Sequence, residues 1–154
     1  ANRIFSRFGL KLVLKPQEQK MEVIKQLEDI MVAYPYSLTS DTIQRVIFYL
    51  AAVLSNKKSI LVFEEPESHS FPFYTKYLAE TIGLDDSENQ YFISTHNPYF
   101  LMPLVQKTLS QDIAIFLTYY RDYETKVKPL THDEIQEIME IDVFSNLDRY
   151  LENR

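Results

Sequence analysis

The residues best suited to chemistry stand in two short stretches. In "SILVFEEPESHSF" (Ser59 to Phe71), four apolar residues, Ile60 to Phe63, run straight into Glu64 and Glu65, with Glu67 and His69 close behind. In "QYFISTH" (Gln90 to His96), a second apolar run ends on Ser94, Thr95 and His96. Adjacent carboxylates repel each other unless a cation or a proton compensates. Side chains alternate along a strand, so Glu64 and Glu65 face different surroundings. One can meet a Mg²⁺ ion while the other orients a water. That division of labour suits nucleotide hydrolysis, where a hard cation bridges phosphate oxygens and a nearby base positions the attacking water. His96 is then placed to sense or stabilise charge on the terminal phosphate. Each signal alone has a plainer reading. An isolated Glu-Glu pair is ordinarily a solvated turn, and a histidine after Ser-Thr a hydrogen-bonded structural residue. Two such groups on two strand ends of one sheet shift the balance toward a site.

The elements that must position these groups follow from the pattern. "LKLVLK" (Leu10 to Lys15) alternates apolar and polar residues and ends at Pro16, which reads as a strand. Glu18 to Val32 fits either a helical face (Met21, Ile24, Leu27, Ile30) or a hairpin. "SLTSDTIQRVIFYLAAVLSNKK" predicts a helix with Ser40 or Asp41 near its N-cap, an apolar face of Ile43, Val46, Ile47, Leu50 and Leu54, and an end around Asn56. Ile60 to Phe63 then reads as a short buried strand. A helix is predicted from Pro72 to about Ile82, with Tyr74, Tyr77, Leu78 and Ile82 on its apolar face. Gln90 to Thr95 reads as another buried strand. Pro98 opens a helix that Pro103 should kink or delay. Ile113 to Tyr120 predicts a strand turned at "RDYE" with "TKVKPL" returning, and "THDEIQEIMEI" closes with Thr131 and Glu134 spaced as a capping box. Alternating helices and strands indicate α/β architecture, with a mainly parallel sheet and flanking helices. In such a sheet, ligands sit beyond the carboxyl ends of the strands, where both candidate stretches lie.

Composition narrows the function classes. At 154 residues, 45% hydrophobic and 25% charged, the chain suits one folded domain over residues 1–154. A net charge of −6 with scattered Lys and Arg offers nucleic acid no attraction. Phe48, Tyr49, Phe63, Phe92 and Phe116 therefore read as core rather than as base-stacking residues. The absence of cysteine excludes disulfides and thiolate metal sites and fits a reducing, cytoplasmic setting. No apolar run approaches the roughly 20 residues that span a bilayer, so no membrane association is expected. The start, "ANRIFSRF", has neither an initiating Met nor a signal peptide's apolar stretch, which suggests a segment of a longer chain.

The run "SILVFEEPESH", followed some 30 residues later by "YFISTHNPYFL", resembles the Walker B segment and switch histidine of ABC-type ATPases, most closely the branch of OLD-family and SMC-like repair ATPases. "SLTSDTIQRVIFYLAAVLSNKK", just upstream, resembles the signature-motif helix of that family. The resemblance implies a partial P-loop NTPase (ABC ATPase-like) fold: the C-terminal lobe of a head, with signature-like residues 37–45, Walker B-like residues 60–65 and a switch-histidine strand at 91–96. It further implies that Glu64 holds Mg²⁺, Glu65 is the general base, and His96 contacts the γ-phosphate of ATP. Ser40, Asp41 and Thr42 match the segment that closes on ATP bound to the opposite subunit, and Glu67 to His69 fall where the D-loop region begins, at the dimer interface. A homodimer, or a partner chain, is implied as well, with DNA reached only through other domains.

The departures from that pattern are specific. Glu64 stands where the family commonly has Asp, Asp41 where the signature has Gly, and "SFP" (Ser70 to Pro72) where the branch has "LHP". No P-loop occurs: its two glycines stand five residues apart, whereas the chain's only glycines are Gly9 and Gly83. The expectation is an ATPase only when completed by a P-loop segment, and inactive as this chain alone. Two alternatives stand beside it. One is a degenerate ATPase-like interaction module that has lost the chemistry. The other is a metal-dependent hydrolase or nuclease using Glu65, Glu67, His69 and His96, although Pro66 breaks the alternation that would align them.

Overall fold

The structure is a computed structural model and describes Ser6 and residues 9–140. Among the described residues, seven strands in three small sheets and four longer helices follow one another. β1 (Leu10–Lys15), β2 (Lys20–Leu27) and β3 (Ile30–Pro35) form an antiparallel meander, which resolves the Glu18 to Val32 ambiguity as a hairpin. β4 (Ile60–Glu64) and β5 (Gln90–Ser94) pair in parallel, and β6 (Phe116–Arg121) and β7 (Glu124–Pro129) antiparallel. The expected parallel element is thus the β4–β5 pair; the other described strands pair antiparallel. The helices are α1 (Asp41–Ser55), α2 (Pro72–Gly83), α3 (Pro98–Lys107) and α4 (His132–Glu140).

Local chemistry sets each boundary. The Ser40 hydroxyl caps α1 by accepting the Ile43 N–H. Asn97 caps α3 through Tyr99 N–H at 2.9 Å, and α3 runs on through Pro103, which removes one internal hydrogen bond. Thr131 and Glu134 form the reciprocal capping box at the head of α4. The last residue expected of that helix, Ile141, lies outside the described residues. Ile113 to Ile115 precede β6 without joining it. The β6–β7 turn places Asp122 and Tyr123 at φ 55 and 62, the two left-handed positions of a tight hairpin.

The core that holds the site lies on one side of the parallel pair. Val46, Tyr49, Leu50 and Val53 of α1, Leu78, Ala79 and Ile82 of α2 and Phe100 of α3 pack on Phe63, with Leu61, Tyr91 and Ile93 beneath them. Val53, not Leu54, completes the apolar face of α1; Leu54 points to solvent. A side-chain cluster staples the strand starts together. Asn89 accepts the Ser59 N–H and donates to the Asn56 carbonyl and the Asp85 carboxylate. Burial pushes the Asp85 carboxyl up, but hydrogen bonds from Tyr91, Asn89 and Ser87 together hold it below its usual range.

One expectation fails informatively. β4 and β5 are not buried on both faces: Ile60 is 67% exposed, Val62 74% and Phe92 53%. Phe48 and Phe116, expected in the core, are also largely exposed, whereas Tyr49 and Phe63 are buried. Among the described residues, helices cover only one face of the β4–β5 pair, which leaves Ile60, Val62 and Phe92 open. Phe48 lies opposite the buried face of α1, and Phe116 belongs to the β6–β7 pair outside this core.

Candidate functional site

Parallel pairing brings the two chemical stretches to one end of the sheet. Glu64 lies opposite Ser94 in the register, and the Glu65 N–H extends the ladder to the Ser94 carbonyl at 2.9 Å. Glu64 continues the exposed face of Ile60 and Val62, so its carboxylate opens to solvent. Glu65 does not simply alternate to the other side. Its backbone turns into the left-handed region (φ 41), an unusual conformation for a residue with a Cβ. The turn aims its carboxylate at β5, where Oε1 lies 2.8 Å from His96 Nδ1. Ser68 donates its hydroxyl to Glu65 Oε2 at 2.9 Å. The Ser68 hydroxyl first, and His96 after it, hold the Glu65 carboxyl below its usual range against a smaller opposing effect of burial. Glu65 therefore stays ionised and oriented, able to accept a proton or align a water.

The loop after β4 is tied down from three directions. Thr42 Oγ1 donates to the His69 carbonyl at 2.7 Å, joining the first turn of α1 to the loop. Arg45, one turn further along α1, donates through Nη2 to the Glu65 carbonyl at 3.3 Å and stands over the Tyr49 ring. Glu67 is 4% exposed and accepts the Thr95 hydroxyl.

The expected site residues therefore divide. Glu65 and His96 are in direct contact, with Glu64 beside them. Ser40 and Asp41 make no hydrogen bond to Glu64, Glu65 or His96 among the described residues; Ser40 caps α1 and Asp41 is its first residue. Thr42 joins the site through the loop backbone only. Glu65, Glu67 and His69 do not converge, because Glu67 turns inward to Thr95 while His69 is exposed at φ 60. The described residues hold no group of three or more His, Asp or Glu side chains arranged for a metal. Residue types alone missed Arg45, Ser68 and the Glu67–Thr95 contact. Only the position of Ser68, three residues after Glu65 across a proline, hinted at a turn that folds back on the carboxylate.

Mg²⁺ and a nucleotide can be weighed against the residues present. Glu64 is a single exposed carboxylate with no hydrogen bond or ion pair among the described residues. That suits Mg²⁺, which is usually held by one or two carboxylates together with water and substrate phosphates. A phosphate cradle is another matter. Gly9 sits in a turn at φ 63, and Gly83 lies where a Cβ would meet Lys107, Thr108 and the Leu104 carbonyl within 3.2 Å. Neither glycine lies in a phosphate-binding loop, so these residues fit the metal but not the triphosphate.

Comparison with known proteins bears on the family and the fold. Residues 16–102, just over half the chain, match the protein family described as "AAA domain, putative AbiEii toxin, Type IV TA system". A solved structure described under "Structural biochemistry of ATP-driven dimerization and DNA stimulated activation of SMC ATPases" superposes with a TM-score of 0.55 at 17% identity, covering 85% of this chain and 78% of that one. At that identity the likeness establishes the fold, which is α/β and P-loop NTPase-like. No curated protein matches the sequence.

Proposed function

The chain belongs to this AAA-domain family, and from that premise we propose that it is the C-terminal lobe of an ABC-like ATPase head, of the OLD and SMC-like branch. In this reading it manages Mg²⁺ and the attacking water on an ATP whose phosphates are held by a P-loop segment outside these 154 residues. The family match and the fold support an ATPase-like domain. A single observation carries the role of these residues within it: the Glu65–His96 contact across two parallel strand ends, beside the free carboxylate of Glu64.

That contact supports the following roles. Glu64 would take the metal, which when bound neutralises phosphate charge. Glu65 aligns a water and accepts its proton, held ready by Ser68 and His96. His96 stands 75% exposed in its side chain, free to turn its outer nitrogen toward a phosphate. The open face of Ile60, Val62 and Phe92 is where helices of the P-loop-bearing segment would pack, covering the sheet's second face. Dimerisation driven by ATP is stated of the SMC neighbour, and we extend it to this chain with the first turn of α1 facing the other subunit's nucleotide. No described helix is long and apolar enough to cross a membrane, and the proposed setting is the cytoplasm.

The test joins the chain to the segment or partner that carries the P-loop and measures ATP turnover. Glu65→Gln should lower kcat by about 10²–10⁴-fold, the usual worth of a general base, while ATP binding persists. Hydrolysis by the chain without any P-loop segment, indifferent to Glu65→Gln, would sink the reading. A second reading, a non-catalytic interaction module, is favoured by Asp41. It places bulk and negative charge where a signature glycine would let backbone N–H groups approach phosphate. An assembled head that binds ATP but shows no turnover would support it.

A further inference from the structure

Glu67 presents an unusual combination. It is 4% exposed, its Oε1 accepts the Thr95 hydroxyl, and its Oε2 is buried with no hydrogen-bond partner among the described residues. A buried carboxylate with half its acceptor capacity unused is costly, and replacing such a charge by an apolar side chain of similar volume is often neutral or stabilising. Stability is therefore a poor explanation for a glutamate here.

Direction is a better one. Thr95 has one hydroxyl proton, and Glu67 takes it. The same oxygen accepts the Asn97 N–H at 3.1 Å. These two contacts straddle His96, and Asn97 then caps α3. The backbone on both sides of His96 is thus fixed by a relay from Glu67 through Thr95 to Asn97. The ring emerges with Nδ1 2.8 Å from Glu65 Oε1. Because a carboxylate only accepts, Nδ1 must carry the hydrogen, and in the neutral ring this leaves Nε2 as the outward acceptor.

We infer that Glu67 is a positioning residue that acts through the Thr95 hydroxyl to set the orientation and tautomer of His96 against Glu65. Its functional meaning rests on the proposed ATPase role of Glu65 and His96. The contact itself can be tested without nucleotide, so the two readings fail separately.

The experiment is ¹⁵N NMR of histidine-labelled chain at about pH 8.5, where an ordinary imidazole is neutral, with the His96 signals identified by their loss in His96→Gln. The wild type should show a protonated Nδ1 and a bare Nε2. Glu67→Met and Thr95→Val should both shift His96 to the Nε2–H tautomer that free imidazole favours, with Tm unchanged or raised in Glu67→Met. Glu67→Gln, whose amide oxygen still accepts, and Thr95→Ser, which keeps the hydroxyl, should retain the wild-type pattern. Should Glu67→Met not fold, Thr95→Val carries the test alone. An Nδ1–H tautomer that persists in folded Thr95→Val, or is absent from the wild type, would overturn the inference. So would its loss in Thr95→Ser.

Discussion

Replacing Gly83 by alanine sets two effects against each other, and the structure decides between them. Gly83 ends α2, and a Cβ there would stand 3.0 Å from Lys107 Cβ, 3.1 Å from Thr108 Oγ1 and 3.2 Å from the Leu104 carbonyl oxygen. Alanine in a helix gains about 0.5–1 kcal/mol over glycine. Forcing a methyl into a packed contact costs about 1–3 kcal/mol. The upper part of that range applies, because the Leu104 carbonyl is held by both the N–H and the hydroxyl of Thr108, at 3.0 and 2.8 Å, and cannot swing aside. The net expectation is a loss of about 1–2 kcal/mol. At roughly 2–4 °C per kcal/mol for a chain of this size, Tm should fall by about 2–8 °C. Thermal unfolding followed by circular dichroism reads this directly. A Gly83→Ala variant as stable as the wild type or more so would refute the reasoning and show that α2 and α3 are not locked at this contact. Gly9→Ala is the control. At φ 63 with no atom within 4 Å, it should lose about 1–2 kcal/mol through backbone strain alone.

Other consequences are independent of that contact. Val62→Lys alters an exposed residue, so stability should change by less than the roughly 0.5 kcal/mol typical of surface changes; yet it should abolish association with a P-loop-bearing segment, measured by co-purification. Lys128 first, and the Thr131 N–H with it, push the Glu134 carboxyl down to about 2 from a usual 4.5. A carboxyl lowered in the folded state stabilises above its unfolded value and loses that contribution as pH falls toward 2. Unfolding midpoints of wild type and Glu134→Gln should therefore converge between about pH 4.5 and 2. Tyr123→Gly relieves a left-handed residue at the β6–β7 turn and should raise stability by about 1 kcal/mol, read as a Tm increase of about 2–4 °C.

The legible parts of the fold were those governed by local chemistry. Ser40 and the Thr131–Glu134 box announced helix starts because capping needs only residues within one turn. The strands β4 and β5 were legible as apolar runs, but their burial was not. A continuous apolar run is the mark of a strand covered on both faces, and the described helices cover one. Ile60, Val62 and Phe92 therefore have the pattern of core residues, yet they stand exposed. The pairing of Glu65 with His96 was foreseeable in position, since both end strands of one parallel sheet, but not in contact. That depends on the positive φ of Glu65 and on Ser68 and Glu67, none of which leaves a periodic trace in the sequence.

In the proposed function these residues manage the metal and water of ATP hydrolysis but do not hold the triphosphate. Calorimetric titration of the chain with Mg²⁺-ATP, with Mg²⁺ alone as the control, separates the two tasks. No nucleotide binding is expected of the chain alone, and binding is expected once the P-loop segment is joined to it. Tight binding of Mg²⁺-ATP by the chain alone, weakened by Glu64→Gln, would contradict that expectation and place a phosphate site within these residues.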